Sequence, residues 1–460
     1  MNQTKHEHIH FIGIGGSSMS GLAELAAKQG YLVSGSDRTD SDKLKYLRTK
    51  GIRIYSSQIP ENITDDISLV VYTLAVPDSN PELAEARRRK IPVVERGVYL
   101  GKIAAHYKYS VAVAGTHGKT STTSMLSSIV LSAGKEPSIH IGGVFPRIGS
   151  NVLASHSDYF ITEACEYHEN FLNIHPYGGI ILNVEAEHLD YYKDLGHIKT
   201  AFSKFASSCA PQGFLVVCAD NDLAREIAAA ANCPVYFYSI NDPSASYYAG
   251  NIQYSEEGTS YTLFESGQPL HDIFLHVPGL HNVSNSLAAA AAAIRLGCSA
   301  ESIAAGLDAF HGTGRRFEKK GTYHGAAIVD DYAHHPTEIA ATLAAARSTI
   351  RPGNKLYAIF QPHTYSRARI FLSEFTKVLK EADQVIVTDI YSAREKDPGT
   401  ISGLSMAEYF TKNGVNAKYI SDFDEIADYV KACAADGDIA ITLGAGDVNK
   451  VIKKILETCD

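Results

Sequence analysis

Residues 111–123 read VAVAGTHGKTSTT. Residues 111–114 are small or β-branched and apolar, the composition of a short buried strand. Gly115, Thr116, His117, Gly118, Lys119, Thr120 and Ser121 follow, and a helix is expected over 121–133. A strand, a glycine-containing turn and a helix start form an anion cradle. Backbone N–H groups converge on a phosphate there, and the helix N-terminus adds about half a positive charge. Lys119 can reach the terminal phosphates of a nucleotide, and the Thr120 hydroxyl can ligate Mg²⁺. The spacing is shorter than a Walker A loop. Val113 stands where that motif has its first glycine, and Gly115 opens a G-x-x-G-K-T turn instead.

Working outward, residues 8–16 (HIHFIGIGG) read as a strand running into a glycine turn. A helix is expected over 19–30 and a second strand over 31–34, followed by Gly35, Ser36 and Asp37. This is the opening of a Rossmann-like unit, with Ser18 where the third glycine of the fingerprint belongs. Strands at 69–73 and 91–94 continue it. Past the phosphate loop, apolar strands are expected at 159–162, 179–183, 213–218 and 234–238, separated by helices at 197–209 and 223–231. An antiparallel edge follows over 247–277, then an alanine-rich helix over 285–296. A third alternation has strands at 326–330, 355–360, 384–388 and 439–443, with helices at 336–348, 370–382, 406–412 and 425–434. Strand–helix alternation with buried apolar runs argues for mostly parallel sheets.

The chain of 460 residues, 45% hydrophobic and 20% charged, is long enough for several cores. A net charge of −9 argues against a nucleic-acid or anionic-membrane binder. The seven cysteines (165, 209, 218, 233, 298, 433, 459) are scattered without a C-x-x-C pair, as in a reducing compartment. The first residues hold no apolar stretch of signal-peptide type, and no run of 18 apolar residues occurs, so a cytoplasmic protein without a membrane partner is expected.

Polar clusters fall at strand ends. Glu163 and Glu166, in residues 161–166 (ITEACE), are placed to hold Mg²⁺ directly or through water, with Glu163 first. In residues 183–190 (NVEAEHLD), His188 is a candidate for a second cation, with Glu187 and Asp190 orienting it. Residues 278–285 (PGLHNVSN) sit at a turn before the alanine-rich helix, where the amides serve either as base contacts or as N-caps. In residues 330–338 (DDYAHHPTE), Thr337 or Asp331 is expected to cap a helix with Pro336 in its first turn, and the order of residues does not fit a zinc site. The ends at 360–367 (FQPHTYSR) and 389–395 (DIYSARE) complete a ligand crevice.

Taken together, HIHFIGIGGSSMSGLAELA, SGSD, AGTHGKTSTT, EACE, NVEAEHLD, PGLHNVSN, GTGRRFE, DDYAHHPTE, FQPHTYSRAR and LGAGDV resemble the Mur ligase family. These are ATP-dependent, amino-acid-adding enzymes of peptidoglycan precursor synthesis, and the motifs run in family order along nearly the whole chain. The resemblance implies an α/β fold of three domains. These are an N-terminal Rossmann-like UDP-sugar-binding domain (1–106), a central P-loop ATPase-like domain with a mostly parallel sheet (107–316) and a C-terminal Rossmann-like amino-acid-binding domain (317–460). It implies that ATP phosphorylates the lactyl carboxylate of UDP-N-acetylmuramate and that the amine of L-alanine attacks the acyl phosphate.

Carried over by position, the resemblance places Lys119, Thr120 and Glu163 at the β/γ-phosphates and first Mg²⁺, and His188 at a second metal site, with Mn²⁺ able to substitute. His281, Asn282 and Asn285 fall at adenine, and Arg315 on the nucleotide side. Tyr332, His334, His363 and Arg367 face the alanine and the transferring phosphoryl group. Gly15, Ser17, Ser18, Asp37 and Arg96 line the UDP-sugar. The partners implied are these small molecules alone, in a monomer or homodimer. Departures from the family pattern are Glu187 for an aspartate, Ile141 for an asparagine, Gln58 for a histidine and Thr364 for an arginine. Ser203 and Lys204 straddle the position of a carbamylated lysine found in related ligases, which is left unassigned. The rival readings are a recycling ligase that attaches a preformed peptide to the same UDP-sugar, an NAD-dependent oxidoreductase and a non-catalytic UDP-sugar sensor.

Overall fold

The buried apolar runs form strands, and among the described residues the strands assemble into three sheets. The computed structural model describes residues 7–188, 191–255, 257–393 and 395–457. Asp190, a candidate above, and Arg394, in the last polar strand end, lie outside the described residues. The first sheet holds β1 (His8–Ile12), β2 (Leu32–Ser36), β3 (Arg53–Tyr55), β4 (Ile67–Tyr72) and β5 (Val93–Glu95) in the order 3-2-1-4-5, all parallel. β1 is buried at every position. Its C-terminal end, where the strand order reverses, opens into the glycine turn, which is where such sheets bind ligands.

The second sheet holds β6 (Tyr109–Ala114), β7 (Ser138–Phe145), β8 (Ser150–Leu153), β9 (Tyr159–Glu163), β10 (Gly178–Ile181), β11 (Phe214–Cys218), β12 (Val235–Ser239), β13 (Tyr247–Tyr254), β14 (Thr259–Glu265) and β15 (Gln268–Leu275). Its order is 15-14-13-12-11-10-6-9-7-8. From β13 across to β7 the pairing is parallel, and β8 turns back antiparallel on β7. β13 joins the sheet in parallel on β12, with Tyr238 opposite Tyr247, while Ser255 N donates to Gly258 O and Ser266 N to Ser246 O (2.9 Å each), the pattern of the antiparallel edge expected over 247–277. The third sheet holds β16 (Glu318–Tyr323), β17 (Ala326–Asp331), β18 (Leu356–Phe360), β19 (Gln384–Val387), β20 (Ala417–Tyr419) and β21 (Ile439–Leu443) in the order 16-17-21-18-19-20. All its pairs are parallel except the edge pair β16–β17.

Three local expectations are corrected. The alanine-rich helix starts at Leu280 and runs to Arg295, so His281, Asn282 and Asn285 stand in its first two turns and not in a turn before it. The helix at Pro336–Thr349 is capped by His335, in a capping box with Glu338, and not by Asp331 or Thr337. The helix expected over 370–382 is the shorter Leu372–Leu379, and a separate helix, Tyr365–Ile370, precedes it. The break is Phe371, which leaves helical geometry to pack its ring against His335 at 4.7 Å.

The chain divides into two compact units. One comprises residues 1–250, 262–273 and 284–310, and the other comprises 251–261, 274–283 and 311–460. In the first, one core extends from Phe11, Leu22 and Leu25 through Tyr99 and Leu100 to Phe160, Phe171, Phe202 and Phe205. Phe171 lies flat on Phe205 with centroids 5.1 Å apart, each buried ring contributing about 2 kcal/mol. The second unit packs Val329, Leu343, Phe360 and Phe375 on one face of its sheet, and Ile328, Ile359 and Val451 on the other.

Candidate active site

The phosphate loop runs from the end of β6 to the helix Lys119–Ser132, with Gly118 at its N-cap. Gly115 and Gly118 have φ of 146° and 85°, conformations that disfavour a side chain. A Cβ at Gly115 would also lie 2.9 Å from Leu182 Cβ. The segment after β10 clamps the loop. Asn183 Oδ1 accepts from His117 N (2.8 Å), and Asn183 Nδ2 donates to His117 O (3.1 Å). Thr116 N donates to Asn183 O (3.0 Å), and Thr116 Oγ1 accepts from Glu185 N (2.9 Å). These bonds occupy the Thr116 and His117 N–H groups and fix the loop's shape ahead of the helix N-terminus, whose first-turn N–H groups have no intrahelical partner. Asn183 lies in a motif legible in the sequence, but its clamping role is visible only in three dimensions. Thr120 and Ser121 occupy the first turn of the helix.

The Lys119 ammonium donates to Gly115 O, to Thr116 O (2.9 Å) and to Glu166, whose two oxygens lie 2.9 and 3.1 Å away. Burial works to lower the Lys119 pKa, but Glu166, with Cys165 and Glu163, outweighs it and holds the lysine charged. Burial likewise pushes Glu166 up, and Lys119 followed by His188 pulls it below its ordinary value. His188 Nε2 stands 3.6 Å from Glu166 Oε1, and the His188 ring packs at 4.6 Å from Tyr167. Its φ is 56°, and His168 and Glu169 have φ of 53° and 55°. Such left-handed non-glycine residues concentrate at functional sites. Glu163 plays a different part. It lies opposite Val113 of β6 and accepts from Gly142 N at 2.7 Å. The carboxylate in contact with Lys119 is therefore Glu166. Lys204 Nζ is 3.9 Å from Glu169.

The glycine turn is closed by Ser36 O, which accepts from Gly13 N (2.8 Å) and Ile14 N (3.1 Å), and by Asp37, whose Oδ2 accepts from Gly15 N (2.9 Å). Ser17 Oγ accepts from Lys43 Nζ at 2.7 Å. Ser18 Oγ contacts both Arg96 Nη1 (3.1 Å) and His140 Nε2 (3.2 Å). His140 is buried, and burial followed by the Arg96 charge pushes its pKa down to about 4. Gln58 is used within the fold, accepting from Asn80 Nδ2 at 2.8 Å.

In the second unit, Tyr332, His334, His363 and Arg367 converge at the ends of β17 and β18. The His334 ring lies 5.5 Å from both Tyr332 and His363, and Arg367 Nη1 is 3.0 Å from His363 Nδ1. Thr364 has φ of 61°, a strained value for a β-branched residue. Asp331 accepts from Phe317 N (2.8 Å) and Ala333 N (2.7 Å), and burial raises its pKa to about 6. Arg315 turns inward. It bonds Asp330 (3.1 Å), Gly446 O (3.0 Å) and Gly444 O (2.7 Å), with its guanidinium 5.0 Å from the Tyr332 ring. His281 borders a cavity of about 250 Å³ lined also by Tyr254, Gly279, Ala341 and Ala345. Burial lowers its pKa to about 4. Asn282 Nδ2 donates to Pro278 O at 2.7 Å. Asn285 belongs to the first unit, its Oδ1 close to Gly118.

Comparison with known proteins adds three domain matches. Residues 8–108 match the Mur ligase family catalytic domain, residues 113–293 the Mur ligase middle domain, and residues 315–446 the Mur ligase glutamate ligase domain. A UDP-N-acetylmuramate--L-alanine ligase of Acetivibrio thermocellus is 48% identical over 458 residues, spanning 99% of this chain and 97% of that protein. A protein of the same name from Clostridium acetobutylicum is 46% identical, spanning 96% of each. Among solved structures, the UDP-N-acetylmuramate-alanine ligase of Thermotoga maritima superposes with a TM-score of 0.83 at 28% identity, covering 98% of each chain. A murein peptide ligase of Psychrobacter arcticus gives 0.71 at 25% identity, again covering 98% of each.

Proposed function

Since the chain belongs to the Mur ligase family, we propose that it joins L-alanine to the lactyl carboxylate of UDP-N-acetylmuramate, giving UDP-N-acetylmuramoyl-L-alanine, ADP and phosphate. The observation that carries this reading is the identity of 48% along nearly the full length to a ligase of that name.

A carboxylate is a poor acyl donor, so a mixed anhydride with phosphate must form before an amine can attack. Lys119 is the group to meet the γ-phosphate. Its three protons are already engaged, and Glu166 can hold its charge while a loop carbonyl is exchanged for a phosphate oxygen. The first-turn N–H groups of the helix, behind a loop kept in shape by Asn183 and Thr116, receive the β-phosphate. The Thr120 hydroxyl and the Glu163 carboxylate are oxygen donors of the kind that would hold a first Mg²⁺, and the His188 imidazole is assigned to a second cation. These ions, replaceable by Mn²⁺ in our reading, would supply charge screening as triphosphate and carboxylate approach.

Gly15, Ser17, Ser18, Asp37 and Arg96 are assigned to the UDP-sugar. His281, Asn282 and Asn285 are assigned to adenine. Arg315 acts on the nucleotide side through the 444–446 loop it holds. Tyr332, His334, His363 and Arg367 receive the alanine and the transferring phosphoryl group. The division into domains at 106/107 and 316/317 is part of the same proposal, supported by the three sheets. No described helix is long and apolar enough to cross a membrane, and we place the enzyme in the cytoplasm as a monomer or homodimer.

The test is phosphate release with UDP-N-acetylmuramate and a panel of L-alanine, L-serine, glycine and a preformed tripeptide. Release dependent on both the UDP-sugar and L-alanine is expected. Release with the tripeptide alone would transfer the chain to the recycling reaction.

A further inference from the structure

His140 has no part in the reaction as described, yet it stands between two of its binding regions, and the direction of each hydrogen bond around it can be assigned. Thr162 Oγ1 donates to Glu163 O at 3.1 Å. A hydroxyl has one proton, so Oγ1 accepts at its 3.1 Å contact with His140 Nδ1. His140, buried beside a guanidinium and therefore neutral, carries its proton on Nδ1 and offers a lone pair at Nε2. Ser18 Oγ, 3.2 Å away, donates to that lone pair. Its own lone pair accepts from Arg96 Nη1 at 3.1 Å, since arginine only donates. The chain runs one way, from Arg96 through Ser18, His140 and Thr162 to the Glu163 carbonyl.

Two neighbouring features keep it in register. Asn151 Nδ2 donates to Ser17 O (3.0 Å) and lies 3.4 Å from Ile141 O, a second tie between the glycine turn and β7. Gly21 lets the helix Ser17–Lys28 close on the ring, because a Cβ there would lie 3.3 Å from His140 Cδ2 and 2.8 Å from Val152 Cγ1.

We propose that His140 is a positioning residue for the ligation, coupling the UDP-sugar turn at Ser18 and Arg96 to the strand that carries Glu163, so that the acceptor carboxylate is held at reacting distance from the phosphoryl donor. The inference rests on the ligase reading above. Its physical basis is the steep dependence of bimolecular chemistry on placement, where an error of about 1 Å costs about a hundredfold in rate.

The test is steady-state kinetics of the full chain with UDP-N-acetylmuramate, ATP and L-alanine. His140→Leu leaves the Ser18 and Thr162 hydroxyls without their shared partner. It is expected to lower kcat/KM for the UDP-sugar about ten- to a hundredfold, while KM for ATP stays within about twofold. His140→Gln, whose amide can accept from Ser18 and donate toward Thr162, recovers most of the loss. In the Ser18→Ala/His140→Leu double mutant the effects are non-additive, the pair being no worse than the poorer single variant.

Wild-type kinetics in His140→Leu, or additive losses shared equally by UDP-sugar and ATP, overturn the proposal. If His140→Leu fails to fold, Thr162→Val decides, because it removes the same link without emptying the core. A selective UDP-sugar defect supports the proposal, and wild-type kinetics overturns it. If the wild-type chain releases no phosphate, the ligase reading has failed instead. Calorimetric binding of UDP-N-acetylmuramate to wild type and His140→Leu then judges the coupling, and equal affinities count against it.

Discussion

Lys119 and Glu166 form a buried ion pair whose two members hold each other charged. Removing the cation takes away the only ammonium on the loop and leaves a carboxylate that is 4% exposed without its partner. Lys119→Ala is therefore expected to lower phosphate release at least about a hundredfold while UDP-sugar binding, measured by calorimetry, persists. Unchanged turnover would remove Lys119 from the phosphate site. His140 makes a pH prediction. Its folded pKa of about 4 lies below the ordinary 6.5, so the unfolded chain binds more protons between those values. The stability it contributes is full above pH about 6.5 and is lost as pH falls toward 4, about 2 kcal/mol of it between pH 7 and 5. Denaturant titrations of wild type and His140→Gln at the two pH values check this, and parallel losses would contradict it.

At this scale the motifs were legible and their pairings were not. The EACE motif offered two carboxylates, with Glu163 ranked first on position. That ranking concerned Mg²⁺; the contact with Lys119 falls to Glu166, just before the 3₁₀ turn at Tyr167–Asn173, a tertiary pairing with no local signature. The same holds for Asn183 and His140.

The phosphate-loop helix is held from behind by the helix Ala300–Asp308, whose Gly306 lies against the Ile129 backbone, with a Cβ there only 2.7 Å from Ile129 N. Alanine at 306 gains about 1 kcal/mol of helix propensity but forces the helices apart. A net destabilisation of about 1–3 kcal/mol is expected from such overpacking. A rise in the denaturation midpoint would show that the contact yields freely. Elements with strong periodicity or buried β-branched runs, such as β6, β11 and β18, were readable. The β7–β8 hairpin was not, because Gly142 and Gly143 interrupt its pattern and its register shifts between His140 and Phe145. The His335 cap escaped reading because histidine is an uncommon cap. Here the ring nitrogen accepts from Thr337 N while Glu338 completes the box.

For the whole molecule, the order of three α/β alternations was plain from the sequence, since each strand–helix repeat carries its own buried run. The compact units cut across that order, because the segments 251–261 and 274–283 belong with the C-terminal unit. Lengths of apolar runs do not encode such an exchange. Ligands that bind the folded chain alone raise its melting temperature by mass action. UDP-N-acetylmuramate and a non-hydrolysable ATP analogue, each at about a hundred times Kd, should each add about 2.7 kcal/mol. A chain indifferent to both would lack the two sites.

The central claim is that the γ-phosphoryl group of ATP passes to a sugar-borne carboxylate. It is tested most directly by running the reaction with ¹⁸O in the lactyl carboxylate of UDP-N-acetylmuramate and analysing the phosphate by mass spectrometry. One ¹⁸O in each phosphate released, together with UDP-N-acetylmuramoyl-L-alanine, is the predicted result. Unlabelled phosphate, or release of pyrophosphate, would contradict it.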